Sequence, residues 1–317
     1  MASATCSIHA GFDEWHSVRI AAKAIHGFSA SAKDGKRRFF ARQMLDYREN
    51  RAIETMRFRP CIDLHQGKVK QIVGGSLSDN DPEGLQTNFE ARQPPEWFAR
   101  LYRQDDLTGG HVIQLGPGNR QAAEAALAAW PGGLQLGGGV TVDNAARWLN
   151  AGAAAVIVTS WVFHDGTVDM DRLRQLSRLV GPDRLVLDLS CRRKGDDYFI
   201  VTDRWQTFTR ECITPRLLDR LAPFCYEYLV HGVDVEGRCQ GIETDLVALL
   251  GRWGGIPITY AGGIDSYAAL DTIQRLGDGR IDFTVGSALD IFGGRQLVYR
   301  DLARRYGGGG SKNSMQP

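Results

Sequence analysis

Eight short apolar runs, spaced through about 230 residues with a helical pattern between most of them, constrain this chain more than any other feature. The runs are Pro60–Leu64, His111–Leu115, Leu134–Leu136, Ala154–Thr159, Arg184–Leu189, Glu227–His231, Ile256–Ala261 and Ile281–Val285. They are rich in Val, Ile and Leu and barely alternate, which is how strands buried on both faces read. The intervening stretches are Pro95–Tyr102, Arg120–Trp130, Val142–Asn150, Asp169–Leu179, Pro215–Leu221, Thr244–Trp253, Ser266–Leu276 and Arg295–Arg305. In the fourth, Met170, Leu173, Leu176 and Leu179 predict one apolar stripe. This rhythm predicts an α/β fold, the (β/α)₈ or TIM barrel. An open doubly wound sheet is the alternative, but it usually needs fewer strands and a G-x-G-x-x-G turn that this chain lacks.

Within that frame two strands end in acids. The first run delivers Asp63 into the start of a loop, and the fifth ends at Asp188. A strand-end Asp is often only a turn-former. Strands one and five, however, lie opposite each other in an eight-stranded barrel, so the two carboxylates face one another across its mouth. Such a pair suits a general acid and a general base. A metal site is the competing reading, and it would need further ligands near both acids.

Two Gly-Gly units echo each other. Leu136-Gly-Gly-Gly-Val-Thr-Val-Asp-Asn leads a helix and then a strand ending in Thr159-Ser160. Tyr260-Ala-Gly-Gly-Ile-Asp-Ser leads another, and its strand ends in Gly286-Ser287. Their places, at strands three and four and at strands seven and eight, predict a two-fold half-barrel repeat. Bare glycine amides ahead of a helix N-terminus favour phosphate. Gly138, Gly139, Thr159 and Ser160 are therefore one candidate phosphate site, and Gly262, Gly263, Gly286 and Ser287 the other, with Gly75 of the first loop added. Two sites on one mouth predict a small-molecule substrate with a phosphate at each end. The alternative is that the glycines merely permit tight turns. Lys68, Trp205 and His231 are further candidate substrate contacts: Lys68 for its charge, Trp205 at the tip of a β-excursion after strand five, and His231 at the end of strand six.

The remaining sequence sets boundaries. The 317 residues are 43% hydrophobic and 24% charged with a formal net charge of +1, which gives no sign of a nucleic-acid binder. No apolar run approaches the roughly 20 residues a membrane span needs. Six cysteines are scattered without a C-x-x-C pair, against both a zinc ribbon and a disulfide framework. Residues 1–55 differ from the rest: seven Lys or Arg precede Gln43 against three acids, among frequent Ala and Ser. That composition fits an organelle transit peptide, here to a plastid; without one the chain would be cytoplasmic. The expected organisation is an extension over 1–55, a catalytic barrel over 56–306 and a disordered Gly-rich tail over 307–317. A monomer is expected.

The residues Pro60-Cys-Ile-Asp-Leu-His-Gln-Gly-Lys-Val-Lys-Gln-Ile-Val-Gly-Gly-Ser, His111-Val-Ile-Gln-Leu-Gly-Pro-Gly-Asn and Val230-His-Gly-Val-Asp-Val-Glu-Gly resemble a known family. It is the eukaryotic branch of the phosphoribosylformimino-5-aminoimidazole carboxamide ribotide isomerases of histidine biosynthesis. The resemblance runs from about Arg57 to Tyr306. It implies an Amadori rearrangement of an aminoaldose to an aminoketose, without cofactor or metal, by aspartates matching Asp63 and Asp188. Two departures stand out. Where the family has a strand-six threonine this chain has His231 or Gly232, and the bacterial Gly-Gly-Gly-Ile-Arg is here Gly137-Gly-Gly-Val-Thr141. The related cyclase barrel of the next step shares both aspartates and typically carries a first-loop lysine, for which Lys68 or Lys70 would serve. A catalytically silent binder of a bis-phosphorylated sugar is the other alternative.

Overall fold

The computed structural model describes residues 56–73, 76 and 86–308. The extension over 1–55, Gly75 and all but the first two residues of the tail lie outside the described residues. Eight parallel strands form the centre: β1 Cys61–His65, β2 Gly110–Gln114, β3 Leu134–Gly137, β4 Val156–Val158, β5 Leu185–Asp188, β6 Glu227–His231, β7 Ile258–Ala261 and β8 Ile281–Phe283. Each pairs with the next in sequence order. The sheet closes through the residues leading into β1: Arg59 N donates to Phe283 O at 2.8 Å and Phe283 N to Arg57 O at 3.0 Å. Closure removes the edges that a parallel sheet would otherwise expose. All eight apolar runs are strands, so the barrel is the fold.

The outer helices are α1 Pro95–Gln104, α2 Arg120–Ala129, α3 Ala145–Asn150, α4 Met170–Val180, α5 Pro215–Leu221, α6 Thr244–Trp253, α7 Tyr267–Leu276 and α8 Tyr299–Tyr306. Helix α1 buries Pro95, Phe98, Ala99 and Tyr102, the i, i+3, i+4, i+7 face that docks on the sheet. Helix α4 starts at Asp169, whose carboxylate accepts from Asp171 N and Arg172 N. Its buried face is Leu173, Leu176, Ser177 and Val180, and Leu179 is exposed. The expected every-third stripe drifts off the core because the helix turns in 3.6 residues rather than three. Helix α3 begins at Ala145, three residues late, because Asn144 folds back instead: its Oδ1 accepts from Thr141 N and its Nδ2 donates to Gly139 O.

The N-terminal end of the barrel is plugged by a polar network. Arg59 Nε and Nη2 donate to Asp282 Oδ2 at 2.9 and 2.8 Å, Gln135 Nε2 donates to Glu227 Oε2 at 2.8 Å, and Thr259 Oγ1 donates to Glu227 Oε1 at 2.6 Å. Buried charges are tolerated when paired in this way. Above them lies an apolar layer of Ala155, Ile157, Val186, Leu229 and Ala261. The opposite end is left open for the loops that follow the strands.

Two of those loops are built as β-structure. After β1 the chain turns back through Lys68–Ile72, with Leu64 opposite Val69 and His65 opposite Lys68. The two turn residues, Gln66 and Gly67, have φ of 53° and 76°, as a two-residue hairpin requires. Thr87–Glu90 then adds a third antiparallel strand. After β5 a three-stranded antiparallel sheet, Cys191–Lys194, Asp197–Thr202 and Thr207–Cys212, stands over the mouth. Asp234 fastens it to the loop after β6, accepting from Arg192 Nε and Arg193 N at 2.8 Å each.

Candidate active site

Strand register decides which side chains enter the barrel. Residues 61 and 63 of β1 lie beside residues 111 and 113 of β2, and alternate residues share a face. Asp63 and Asp188, from β1 and β5, both line one cavity at the C-terminal end of the strands, where barrel enzymes place their chemistry. The cavity holds about 610 Å³ including its open mouth. Cys61, His111, Ile113, Leu115, Trp205 and His231 contribute to its wall, as do Gln71 and Glu236.

Each aspartate is held differently. Asp63 Oδ2 accepts from Gln71 Nε2 at 3.0 Å. Burial, helped by the Glu236 carboxylate, pushes its pKa up to about 6, against the pull of His231, Gln71 and Cys61. Asp188 accepts from Thr159 Oγ1 on Oδ2 at 2.9 Å and from Ser190 Oγ on Oδ1 at 2.8 Å. Burial raises its pKa as well, opposed by His231 and by those two hydroxyls. His231 thus acts electrostatically on both acids. Its Nε2 lies 2.9 Å from Glu236 Oε2, an ion-pair distance without an aligned N–H hydrogen bond. Burial works against the imidazolium, but Glu236, Asp188 and Asp63 outweigh it and raise its pKa. The cluster therefore sets Asp63, Asp188 and Glu236 around the His231 imidazole, with the pKa values of Asp63, Asp188 and His231 raised, as acid–base chemistry uses.

Trp205 lies over this cluster. Its ring centroid is 5.2 Å from that of His231, and its Nε1 donates to Ser190 Oγ at 3.1 Å. It also packs with the side chains of Ile72 and Leu115. Asp203, Arg204 and Trp205 have φ of 51°, 57° and 68°, three consecutive non-glycine residues in the left-handed region. Such conformations persist only where the surroundings hold them.

The Gly-Gly units share one backbone shape. Gly138 and Gly139 have φ of 90° and 73°, and Gly262 and Gly263 have 111° and 69°. A methyl group on Gly138 would stand 2.2 Å from Gln114 O, and one on Gly262 would stand 2.5 Å from Gly232 O. The first glycine of each pair is therefore required by the neighbouring strand's backbone, whatever it binds. Around the second unit, Gly262, Gly263, Thr284, Gly286, Ser287 and Gly237 line a separate pocket. Asn88 from the first loop reaches its rim, donating to Ser287 Oγ at 2.9 Å and to Gly237 O at 2.8 Å. At the first unit Thr159 turns toward Asp188, and Ser160, which is exposed, accepts from Asp203 N at 3.3 Å.

Lys68 is not among the cavity-lining residues. It is exposed on the first hairpin and paired with Glu90 of the strand alongside. Gln71, His111 and Glu236 were not assigned from the sequence. Glu236 belongs to the Val230–Gly237 stretch that carries the family resemblance, but nothing in its spacing says that it meets His231. Gln71 reads as an ordinary hairpin residue.

A closed parallel barrel that gathers two raised-pKa carboxylates and imidazoles in one cavity at the C-terminal end of its strands has the architecture of a barrel enzyme. The sequence model described as "Histidine biosynthesis protein" matches residues 57–294, and the chain belongs to that family. Three relatives bear the name of a 1-(5-phosphoribosyl)-5-((5-phosphoribosylamino)methylideneamino)imidazole-4-carboxamide isomerase. One, from Medicago truncatula and named chloroplastic, is 53% identical over 253 residues, covering 78% of this chain and 81% of that protein. Another, from Yarrowia lipolytica, is 49% identical, covering 77% and 96%. A third, from Saccharomyces cerevisiae, is 43% identical, covering 78% and 97%.

Proposed function

We propose that this chain is the isomerase of histidine biosynthesis that converts the bis-phosphorylated aminoaldose to its aminoketose. The observation that carries the reading is the pair Asp63 and Asp188, half-buried in one cavity and both under the influence of His231. The isomerase name carried by all three relatives supports it.

In the proposed reaction Asp188 gives a proton to the ring oxygen, the C1′–O bond breaks, and an imine forms at C1′. Asp63 then takes the C2′ proton, and the electron pair moves toward the imine nitrogen to give an enol-amine. Proton return at C1′ and loss of the hydroxyl proton leave the ketone at C2′, so atoms and electrons balance without any oxidant. An acid with a pKa of about 6 is ionised at neutral pH, yet basic enough to share a carbon-bound proton in the transition state. His231, whose charged form Glu236 favours, in turn favours the ionised form of Asp63, the base of the proposed reaction. Phosphate clamps at Gly138–Gly139 with Ser160 and at Gly262–Gly263 with Gly286 and Ser287 would hold the substrate ends; such remote binding converts into rate by positioning. Gly75 and Trp205 complete the proposed contacts, Trp205 by covering the heterocycle.

Incubation of the chain with the aminoaldose alone, with neither a glutaminase nor ammonia, tests the assignment. Accumulation of the aminoketose is the expected result. No product from the aminoaldose, with turnover only of the aminoketose when ammonia is supplied, would overturn it in favour of the cyclase. We propose further that residues 1–55, ahead of the family match, are a plastid transit peptide, a reading supported by the basic, acid-poor composition of residues 1–43 and by the chloroplastic relative. N-terminal sequencing of the natural protein tests this, since an intact Met1 on a plastid-free enzyme would refute it. A monomer is also proposed; light scattering on the purified protein tests that, and a dimer mass would refute it.

A further inference from the structure

Beneath Asp63 three different donors converge. Cys61 Sγ, an Asp63 carboxylate oxygen and a ring nitrogen of His111 all lie within 4.8 Å of one another. The convergence follows from register: Cys61 sits opposite His111 on β2, and Asp63 is two residues further along the same face. Cys61 and His111 are only 3% and 4% exposed, and Nδ1 of His111 is buried without a hydrogen-bond partner. Orphaned buried polar atoms are rare and call for an explanation. Gln71 supplies a second pointer. Its Nε2 donates to both Asp63 Oδ2, at 3.0 Å, and Cys61 Sγ, at 3.8 Å, so an electropositive NH₂ already stands where two of the donors meet. The cavity above adds the carboxylates of Asp188 and Glu236 against the single imidazole of His231, a balance that draws cations.

We infer that Cys61, Asp63 and His111 form a binding site for a soft divalent cation, zinc or cadmium, on the floor of the substrate cavity. Sulfur, imidazole nitrogen and carboxylate oxygen form a borderline-soft donor set; magnesium and calcium prefer oxygen alone. Three protein ligands leave the fourth tetrahedral position to a water molecule. Bonds of about 2.0–2.3 Å place donors on the order of 3.5 Å apart, so the three groups need to close by on the order of 1 Å. On binding, the Cys61 thiol loses its proton to solvent and the thiolate takes the ion. The bound ion engages Asp63, so it excludes that carboxylate from substrate. This inhibitory consequence rests on the reading of Asp63 as the base; the binding itself does not.

The test uses the full chain titrated with cadmium in the absence of substrate, following bound metal and the sulfur-to-cadmium charge-transfer absorption. Cys61→Ala, His111→Gln and Asp63→Asn are compared with the parent after each is shown to keep its circular dichroism and melting transition. Asp63→Asn preserves shape, so the answer does not depend on the two core substitutions folding. One tight equivalent per chain is expected in the parent. Its affinity should fall by more than about 100-fold in each variant, beyond what the loss of a merely supporting group costs a metal site. Cadmium uptake unchanged in Cys61→Ala, or no tight equivalent in the parent, would overturn the site. Zinc should also inhibit isomerisation competitively with the aminoaldose and be reversed by a chelator. Metal uptake lost in the variants, together with turnover insensitive to zinc, would keep the site and contradict the role of Asp63 instead.

Discussion

Replacing Asp63 by Asn should make the protein more stable while it removes the proposed base. The native carboxyl has its pKa raised from 3.8 to about 6, chiefly by burial. A carboxyl with a raised native pKa withdraws stability as the pH rises from its unfolded pKa to its native one, because the unfolded chain ionises first. The rise is about two pKa units, and each unit is ~1.4 kcal/mol, so the ionised Asp63 costs the fold roughly 3 kcal/mol above pH 7. Asn at this position keeps an oxygen for Gln71 Nε2 and carries no charge. Thermal melting at pH 8 should therefore rise by about 6–12 °C in Asp63→Asn, taking about 2–4 °C per kcal/mol for a domain of this size. The gain should shrink toward zero as the pH falls to about 4, where the parent's Asp63 is protonated in the native state. A variant no more stable than the parent at pH 8, or one whose gain is the same at pH 4 and pH 8, would refute the assignment of a strained, desolvated carboxylate. Functional sites commonly trade stability for chemistry in this way.

Further consequences follow from the same cluster. The acidic limb of kcat/KM should fall with an apparent pKa near 6 as the proposed base Asp63 becomes protonated; a pH–rate profile flat down to pH 4.5 would contradict it. His231→Asn removes the cation that lowers both aspartate pKa values, so that limb should move to higher pH in the variant; a shift to lower pH would reverse the proposed electrostatics. Gly262→Ala forces a Cβ to 2.5 Å from Gly232 O at a φ of 111°, which should cost at least about 1–3 kcal/mol of stability in a melting experiment and raise KM; an unchanged melt would mean that the turn relaxes freely.

Much of the architecture was legible because buried parallel strands carry a strong local signal. Val156-Ile-Val158 and Leu185-Val-Leu187 need nothing beyond their composition to be read as core strands. Asp63 and Asp188 were legible by topology, since a strand's place in the barrel order determines where its last residue points. The rest depended on contacts between distant segments. Glu236 acquires a role only by meeting His231, and Gln71 only when the first hairpin folds back on β1. Lys68 was visible by its charge, but its pairing with Glu90 was not, because it depends on Thr87–Glu90 folding alongside the first hairpin. Helix α4 shows the same difficulty on a smaller scale, where a three-residue spacing selected Leu179 and the 3.6-residue turn buried Val180 instead.

The most direct measurement is turnover of the aminoaldose by Asp63→Asn, with substrate affinity determined in parallel. The proposed phosphate sites and Asp188 are untouched in this variant, so binding should stay within about tenfold of the parent, a change of no more than ~1.4 kcal/mol. Formation of the aminoketose should fall below detection, because no other group is assigned to take the C2′ proton. Near-parental turnover by Asp63→Asn would contradict the account.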